Sequence, residues 1–365
     1  MTCRERLIRV FRRESVDRMP IRLWGVDPLT PRDDWKTLYY LTEKYELEMF
    51  RHWSPNAEEW PESRIVRRVE KGPVKNGEQE VRTIWETPKG PLVEVFRSFV
   101  DGSPGRHVKY LLETPEDAEK FLSLPEETEL PAVDSYLKLK KQTGERALLM
   151  VGIDEAMYFV QRLMGSETFG YWLYDHRQLL HEMIGRSFRY LERLVKHYLA
   201  HDLGDAYGWV GPELCIPPLA SVKDFQEFVV DYDKRLAALI HEAGKLVWIH
   251  CHGDMSGVLE GFIELGVDCL NPIEPPPVGK ITLGQAKAIC AGRMALEGNV
   301  EDSAFDCLQP EEMRQLVVET VAQGKPGGGF ILCPTSSPTT WAKLPAHAER
   351  NYRVFVETAV SLRDY

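Results

Sequence analysis

From residue 147 onward, short apolar runs alternate with helical patterns at a near-constant spacing, and few folds accommodate that rhythm. The runs fall at residues 147–153, 206–210, 246–252, 267–273, 294–299 and 330–333. Helical patterns lie at 182–199, 222–243, 256–265, 283–291 and 310–322, and a closing helix covers 348–362. Strand, helix, parallel strand is the unit this describes. Upstream, two more strands are expected at 21–24 and 47–52, with helices at 3–13, 33–45, 115–122 and 132–141. The strand count reaches eight, which favours a closed (β/α)8 TIM barrel over an open doubly wound sheet. Residues 64–100 break the rhythm: alternating apolar residues are interrupted by Lys75-Asn76-Gly77 and Pro88-Lys89-Gly90, both turn signals. The expectation is one α/β domain over 1–365, with an antiparallel β-meander inserted beside the barrel.

Barrels of this kind carry their chemistry at the C-terminal ends of the strands. Those ends read Trp24, Arg51 and His52, Asp154, Trp209 with Glu213, His250 and His252, Glu274, Glu297 and Asn299, and Cys333. The fifth is the most informative. Alternation along Leu246-Val247-Trp248-Ile249-His250-Cys251-His252 puts both histidines on one face with Trp248. Cys251 then shares an apolar face with Val247 and Ile249, as a core thiol. Two imidazoles at i and i+2 suit one ion, and zinc accepts nitrogen and sulfur ligands. Cys333 is the best third ligand and Glu274 the best fourth or exchangeable one. The plainer alternatives are rim hydrogen bonds for the histidines, a buried structural thiol for Cys333, and a salt bridge or cap for Glu274.

Other strand-end residues carry weaker signals. Glu213 and Asp154 are candidate acid/base groups, although Asp154 also suits a helix N-cap. Trp24, Trp209 and Trp248 are candidates for an aromatic-lined substrate pocket, with Trp53 nearby, and Asn299 for orienting a substrate. Gly327-Gly328-Gly329 precedes a strand instead of a helix, so it lacks the setting of a phosphate-binding loop.

A net charge of −11 provides no basic field for nucleic acid. The seven cysteines show no paired framework and the N-terminus shows no leader pattern, so reduced thiols and a cytoplasmic location are expected. No apolar run approaches the roughly 20 residues that span a bilayer.

These residues resemble a family nearly end to end: the superfamily of uroporphyrinogen decarboxylase and the cobalamin-dependent methyltransferases. Asp17-Arg18-Met19-Pro20 looks like its opening strand motif. Residues 205–217, with Ser221 and Phe225, look like its fourth strand and following helix. Residues 244–253 look like the methyltransferases' G…H-x-C-G stretch. Gly266-Val267-Asp268, Gly298-Asn299-Val300, residues 329–334 and Glu349-Arg350-Asn351 match later motifs. The resemblance implies a (β/α)8 barrel with zinc held at His250, His252 and Cys333, approached by Glu274. His252 stands where the family has Cys, and Cys333 lies in Leu332-Cys333-Pro334-Thr335 instead of the usual Pro-Gly-Cys. The decarboxylase branch's R-Q-A-G-R is missing; the stretch reads Arg22-Leu23-Trp24-Gly25-Val26.

The resemblance further implies a corrinoid (cobalamin) presented by a carrier protein, and methyl transfer between it and a small-molecule heteroatom. Replacing a thiolate by neutral His makes zinc more electrophilic, which favours stabilising a leaving oxygen. Demethylation of a methoxylated aromatic is therefore the expected reaction. The alternatives are a thiol:corrinoid methyltransferase, a metal-free decarboxylase, or a barrel acting only as a binding component.

Overall fold

The computed structural model describes residues 1–126, 129–338 and 343–365. In chain order its strands are β1 (Phe50–Trp53), β2 (Arg67–Lys71), β3 (Glu78–Trp85), β4 (Leu92–Phe99) and β5 (Arg106–Lys109). They continue as β6 (Leu148–Gly152), β7 (Ala206–Val210), β8 (Leu246–His250), β9 (Cys269–Asn271), β10 (Ala295–Val300) and β11 (Phe330–Pro334). The apolar runs form strands because a sheet covered on both faces must be apolar on both. Every residue of β8, β10 and β11 is buried.

Seven of these strands form one parallel sheet in the order β1-β6-β7-β8-β9-β10-β11. The expected closed barrel of eight strands is corrected at one position. Residues 21–24 form no strand; Ile21 makes a single parallel bridge to Leu332 of β11. Leu332 N–H donates to Pro20 O at 3.0 Å and Arg22 N–H to Leu332 O at 2.9 Å. On the other side, Glu48 N–H donates to Ile21 O at 3.0 Å. Two features keep this segment from becoming a ladder. Pro20 has no N–H to give, and the Ile21 N–H goes to the Glu48 carboxylate at 2.8 Å instead of to a carbonyl.

The core divides into an inner and an outer cluster. The inner one gathers Phe50, Leu148, Met150, Ala206, Leu246, Trp248, Cys269, Ala295 and Ile331 from seven strands. The N-terminal helix Cys3–Phe11 adds Leu7, Val10 and Phe11, closing the end of the sheet where the strands begin. Thr2 caps this helix, accepting from Glu5 N–H at 3.1 Å, and Arg4 ties it to Asp205 just before β7 at 2.6 Å. The outer cluster lies between sheet and helices and contains Val247, Ile249 and Cys251, as alternation requires.

Elsewhere the elements differ in extent from expectation. A helix over Ala156–Asp175, bent at Gly165 (φ 73°), runs far beyond the start expected near Glu155. The helix expected at 222–243 is two helical segments, Val222–Phe225 and Asp231–Glu242, joined by a π-helical turn at Gln226–Val230. The inserted meander has four antiparallel strands, β2-β3-β4-β5. The fourth lies beyond residue 100, and its alternation is hidden by the preceding Gly102, Pro104 and Gly105. No described helix is long and apolar enough to cross a membrane.

Candidate active site at the strand ends

The C-terminal end of β8 delivers two histidines with unlike surroundings. His250 is 9 % exposed, and its Nδ1 lies 2.6 Å from Asn271 Oδ1 at the end of β9. Asn271 Nδ2 turns toward Glu297 O, so Oδ1 is the acceptor and His250 Nδ1 carries the proton. Burial pushes the His250 pKa down to about 4, and the neighbouring His252 adds to this, so His250 is neutral at physiological pH. His252 stands further out, with its ring 4.5 Å from that of His250 and perpendicular to it. Its Nδ1 donates to Glu274 Oε1 at 2.8 Å, and that hydrogen bond raises its pKa. Glu274 Oε2 accepts from Gly253 N–H at 2.6 Å. Burial pushes the Glu274 carboxyl up, but the bonds from His252 and Gly253 outweigh it and hold it below the usual range.

Both Nδ1 atoms are therefore engaged with oxygens, and neither Nε2 takes part in a hydrogen bond with a described residue. This is the outer-shell arrangement that orients metal-binding imidazoles. It makes Glu274 the group that orients His252.

Below the histidines lies a buried ionic floor. The Arg22 Nε donates to Glu297 Oε1 at 2.5 Å, and Trp248 Nε1 donates to the other oxygen at 2.8 Å. The guanidinium sits 4.0 Å from the Phe50 ring centre and 4.9 Å from that of Trp24. Trp24 in turn stacks on His250 at 4.7 Å and on Trp248 at 5.7 Å. An aromatic wall thus rises from the floor to the histidines, with the His52 ring 6.1 Å from that of Trp248.

The structure separates other residues that the sequence grouped. Cys333 is fully buried near Arg22 and Glu297 of the floor, and burial pushes its pKa well up. Among the described residues, no three His, Cys, Asp or Glu side chains are placed so that they could hold a metal ion. Trp209 faces the opposite way from the mouth, in the outer cluster, where its Nε1 donates to buried Asp233 at 3.0 Å. The reason is register: Val210 pairs with His250, so Trp209 pairs with outward-facing Ile249. Asp154 is ion-paired to Arg162 on the following helix at 2.5 Å. The N-cap role weighed for it belongs to Glu155, which accepts from Met157 N–H and Tyr158 N–H. The Asn299 amide donates to Ile273 O, bracing two strand ends together.

Glu213 does join the histidines. It lies on the short turn Pro212–Cys215 after β7, its carboxyl raised by burial and within the electrostatic reach of His252 and Glu274. Sequence reading missed Glu301. It follows β10 on the face of Glu297 and Asn299, and burial raises its carboxyl next to Glu274 and His252. Counting two residues on from Asn299 finds it. Glu213 Oε2 and Glu301 Oε2 are both buried without a hydrogen-bond partner.

Polar groups gathered past the ends of β7, β8, β9 and β10, above a plugged floor, define an α/β protein with its site at the strand ends. The family model for uroporphyrinogen decarboxylase (URO-D) matches residues 98–359. The chain belongs to that family. Among solved structures it is similar to a methyltransferase from Methanosarcina mazei, at 14% identity, covering 98% of each chain with a TM-score of 0.59. It is also similar to a B12-independent methionine synthase from Shewanella sp. W3-18-1, at 12% identity, covering 78% of this chain and 75% of the other, with a TM-score of 0.43. No curated protein matches.

Proposed function

We propose that this chain is a corrinoid-dependent methyltransferase that removes the methyl group of a methoxylated aromatic at the His250–His252 pair. The observation carrying the proposal is that pair: two imidazoles at one strand end, each with Nδ1 engaged and Nε2 without a hydrogen bond to a described residue. The likeness to a methyltransferase structure over nearly the whole chain supports the same reading.

The two imidazoles would supply two of the three protein ligands usual for catalytic zinc, and among the described residues no third His, Cys, Asp or Glu stands with them as an ion would need. The two Nε2 atoms are the donors an ion would meet, and Glu213, with one carboxyl oxygen buried and without a hydrogen-bond partner, is kept for the proton. A bound zinc would supply Lewis acidity beside the ether oxygen, and a corrinoid on a carrier protein would supply the methyl acceptor. The chain's own residues do the rest. Trp24, stacked on His250, offers a flat face for an aromatic ring. Glu274 keeps the His252 ring turned so that Nε2 faces the substrate. As the O–CH3 bond breaks, its electron pair stays on oxygen, and Glu213, whose raised carboxyl retains a proton more readily than an exposed one, donates that proton to the phenolate. The side chain of His252 is 38% exposed, so the mouth remains accessible to a partner from outside.

The test supplies zinc-loaded protein, a reduced corrinoid carrier and a panel of aryl methyl ethers, and follows conversion of the cob(I) spectrum to methylcob(III). Turnover with at least one ether, lost in His250→Ala and His252→Ala, is expected. Absence of methyl transfer from every ether sinks the proposal.

A further inference from the structure

We propose that a cavity away from the mouth is a second ligand site, shaped for an uncharged aromatic molecule that carries a hydrogen-bond acceptor. The cavity has a volume of about 520 Å3 and lies between the inserted meander, the helix Arg177–Ala200 and the segments that follow β1 and β6. It is on the outer side of the sheet, since Trp85, Leu194 and Tyr198, which line it, belong to the outer cluster. His250, His252 and Glu274 are not among the described residues that line it. The proposal therefore does not rest on the methyl-transfer reading.

The size and the wall suit a small organic guest. Small-molecule sites enclose about 300–1,000 Å3 and are mostly apolar, with a few polar groups that orient the ligand. Here Trp60, Trp85, Phe121, Phe159, Tyr190 and Tyr198 present aromatic rings to the space, and such rings pack well against a flat guest. Trp60 is 41 % exposed although large and apolar, so it stands at the entrance. Its segment is pinned from behind. Ala132 N–H donates to Glu59 O at 2.8 Å, and the Glu59 carboxylate accepts from the Ser135 N–H at 2.7 Å and the Ser135 hydroxyl at 2.6 Å. The opening is thus held by backbone and buried polar contacts beside it.

The charged groups of the wall argue for an uncharged guest, because they are engaged by the protein. Asp154 pairs with Arg162 and Glu126 with Arg189, each at 2.5 Å. Arg186 donates to Pro125 O at 2.7 Å, and the Arg67 guanidinium lies 4.1 Å from the centre of the Trp85 ring. Glu129 is exposed to solvent.

Tyr198 supplies the polar contact. It is 1 % exposed, with its ring edge-on to Trp53 at 5.4 Å, and its hydroxyl makes no hydrogen bond to a described residue. Burial raises its pKa, so the phenol keeps its proton. A buried O–H without an acceptor is costly. A ligand oxygen in the cavity would accept it, and the aromatic rings would cover the rest of the guest.

Isothermal titration of the full chain with 2-naphthol provides the test. Saturable binding is expected in the wild type, tighter than that of naphthalene-2-sulfonate, which carries the same rings with a charge. Tyr198→Phe removes the hydroxyl alone and should weaken 2-naphthol by about three- to tenfold. Ser187→Trp, which fills the cavity from the helix side, should abolish binding, and Trp24→Ala, at the mouth, should leave the isotherm as in the wild type. Absence of saturable binding overturns the inference, as does wild-type affinity in Tyr198→Phe or in a folded Ser187→Trp. Tighter binding of the sulfonate overturns the uncharged class. An isotherm lost in Trp24→Ala would put the naphthol at the mouth and overturn the site. If far-ultraviolet circular dichroism shows Ser187→Trp unfolded, the wild type, Tyr198→Phe and Trp24→Ala decide without it.

Discussion

Substitution of the floor beneath the histidines should be costly singly and cheap in combination. Arg22 is 4 % exposed and Glu297 fully buried, and their contact is 2.5 Å. Glu297→Leu leaves the guanidinium without its counter-charge between Phe50 and Trp24. Breaking one side of a buried pair costs about 3–5 kcal/mol. It also orphans the Trp248 N–H, which adds about 1–3 kcal/mol. Arg22→Met leaves the carboxylate with the Trp248 donor alone, again at about 3–5 kcal/mol. In the double variant both charges are gone, and the principal remaining penalty is the orphaned indole N–H, about 1–3 kcal/mol. The double variant should therefore be more stable than the Glu297→Leu single, and the two singles should sum to several kcal/mol more than the double. Urea unfolding followed by tryptophan fluorescence and by far-ultraviolet circular dichroism measures this, and coincident curves license the free energies. A double variant whose cost equals the sum of the singles to within about 0.5 kcal/mol would show that the two side chains do not act as a pair, and the reasoning would be refuted.

Four further outcomes follow from the site and its supports. In metal-free protein, 15N NMR of the histidines should find His250 neutral with its proton on Nδ1 down to about pH 5, given its pKa of about 4. Glu274→Gln should lower the His252 pKa, because the bond to Glu274 is what raises it; an unchanged His252 titration would refute that. Asp233 is fully buried beside Trp209, and burial raises its pKa from 3.8 to about 8. The folded chain then binds the extra proton, so stability falls as pH rises from about 4 to about 8, and Asp233→Asn should reduce that slope, leaving the share of Glu155, whose carboxyl burial also raises. Denaturation midpoints with the same pH dependence in both proteins would count against it. Gly211 has φ 117°, and a Cβ there would lie 2.2 Å from Tyr158 Cγ. Gly211→Ala should cost about 1–3 kcal/mol and displace the turn carrying Glu213; a thermal shift near zero would contradict this.

The βα rhythm was legible because continuous apolar runs report burial on both faces directly. Alternation correctly put His250 and His252 inward and Cys251 outward. It also held the information that Trp209 faces outward, since Val210 is the residue paired with His250. Strand-end position had outweighed it. The eighth strand failed for a local reason, a side-chain carboxylate taking the place of a backbone carbonyl at Ile21, which no periodicity reveals. The neighbours of Cys333 were not legible: it pairs with Asn299 of β10, and one strand's sequence carries no record of its register with the next. Glu301 was missed for the converse reason: its partners are on other strands, and only assembly makes its empty oxygen conspicuous.

The single bridge between Ile21 and Leu332 has a consequence for the order of assembly. Its partners are more than 300 residues apart, so during synthesis the first segment waits for nearly the whole chain before it can be placed. Until β11 emerges, Arg22 has no Leu332 carbonyl to bind, Glu297 lacks its neighbouring strand, and the inner cluster stands open along one seam. Long loop closure of this kind slows folding. The same seam that completes the floor is the last part of the sheet to form, and any ribosome-bound precursor exposes the aromatic wall there to water and to other chains.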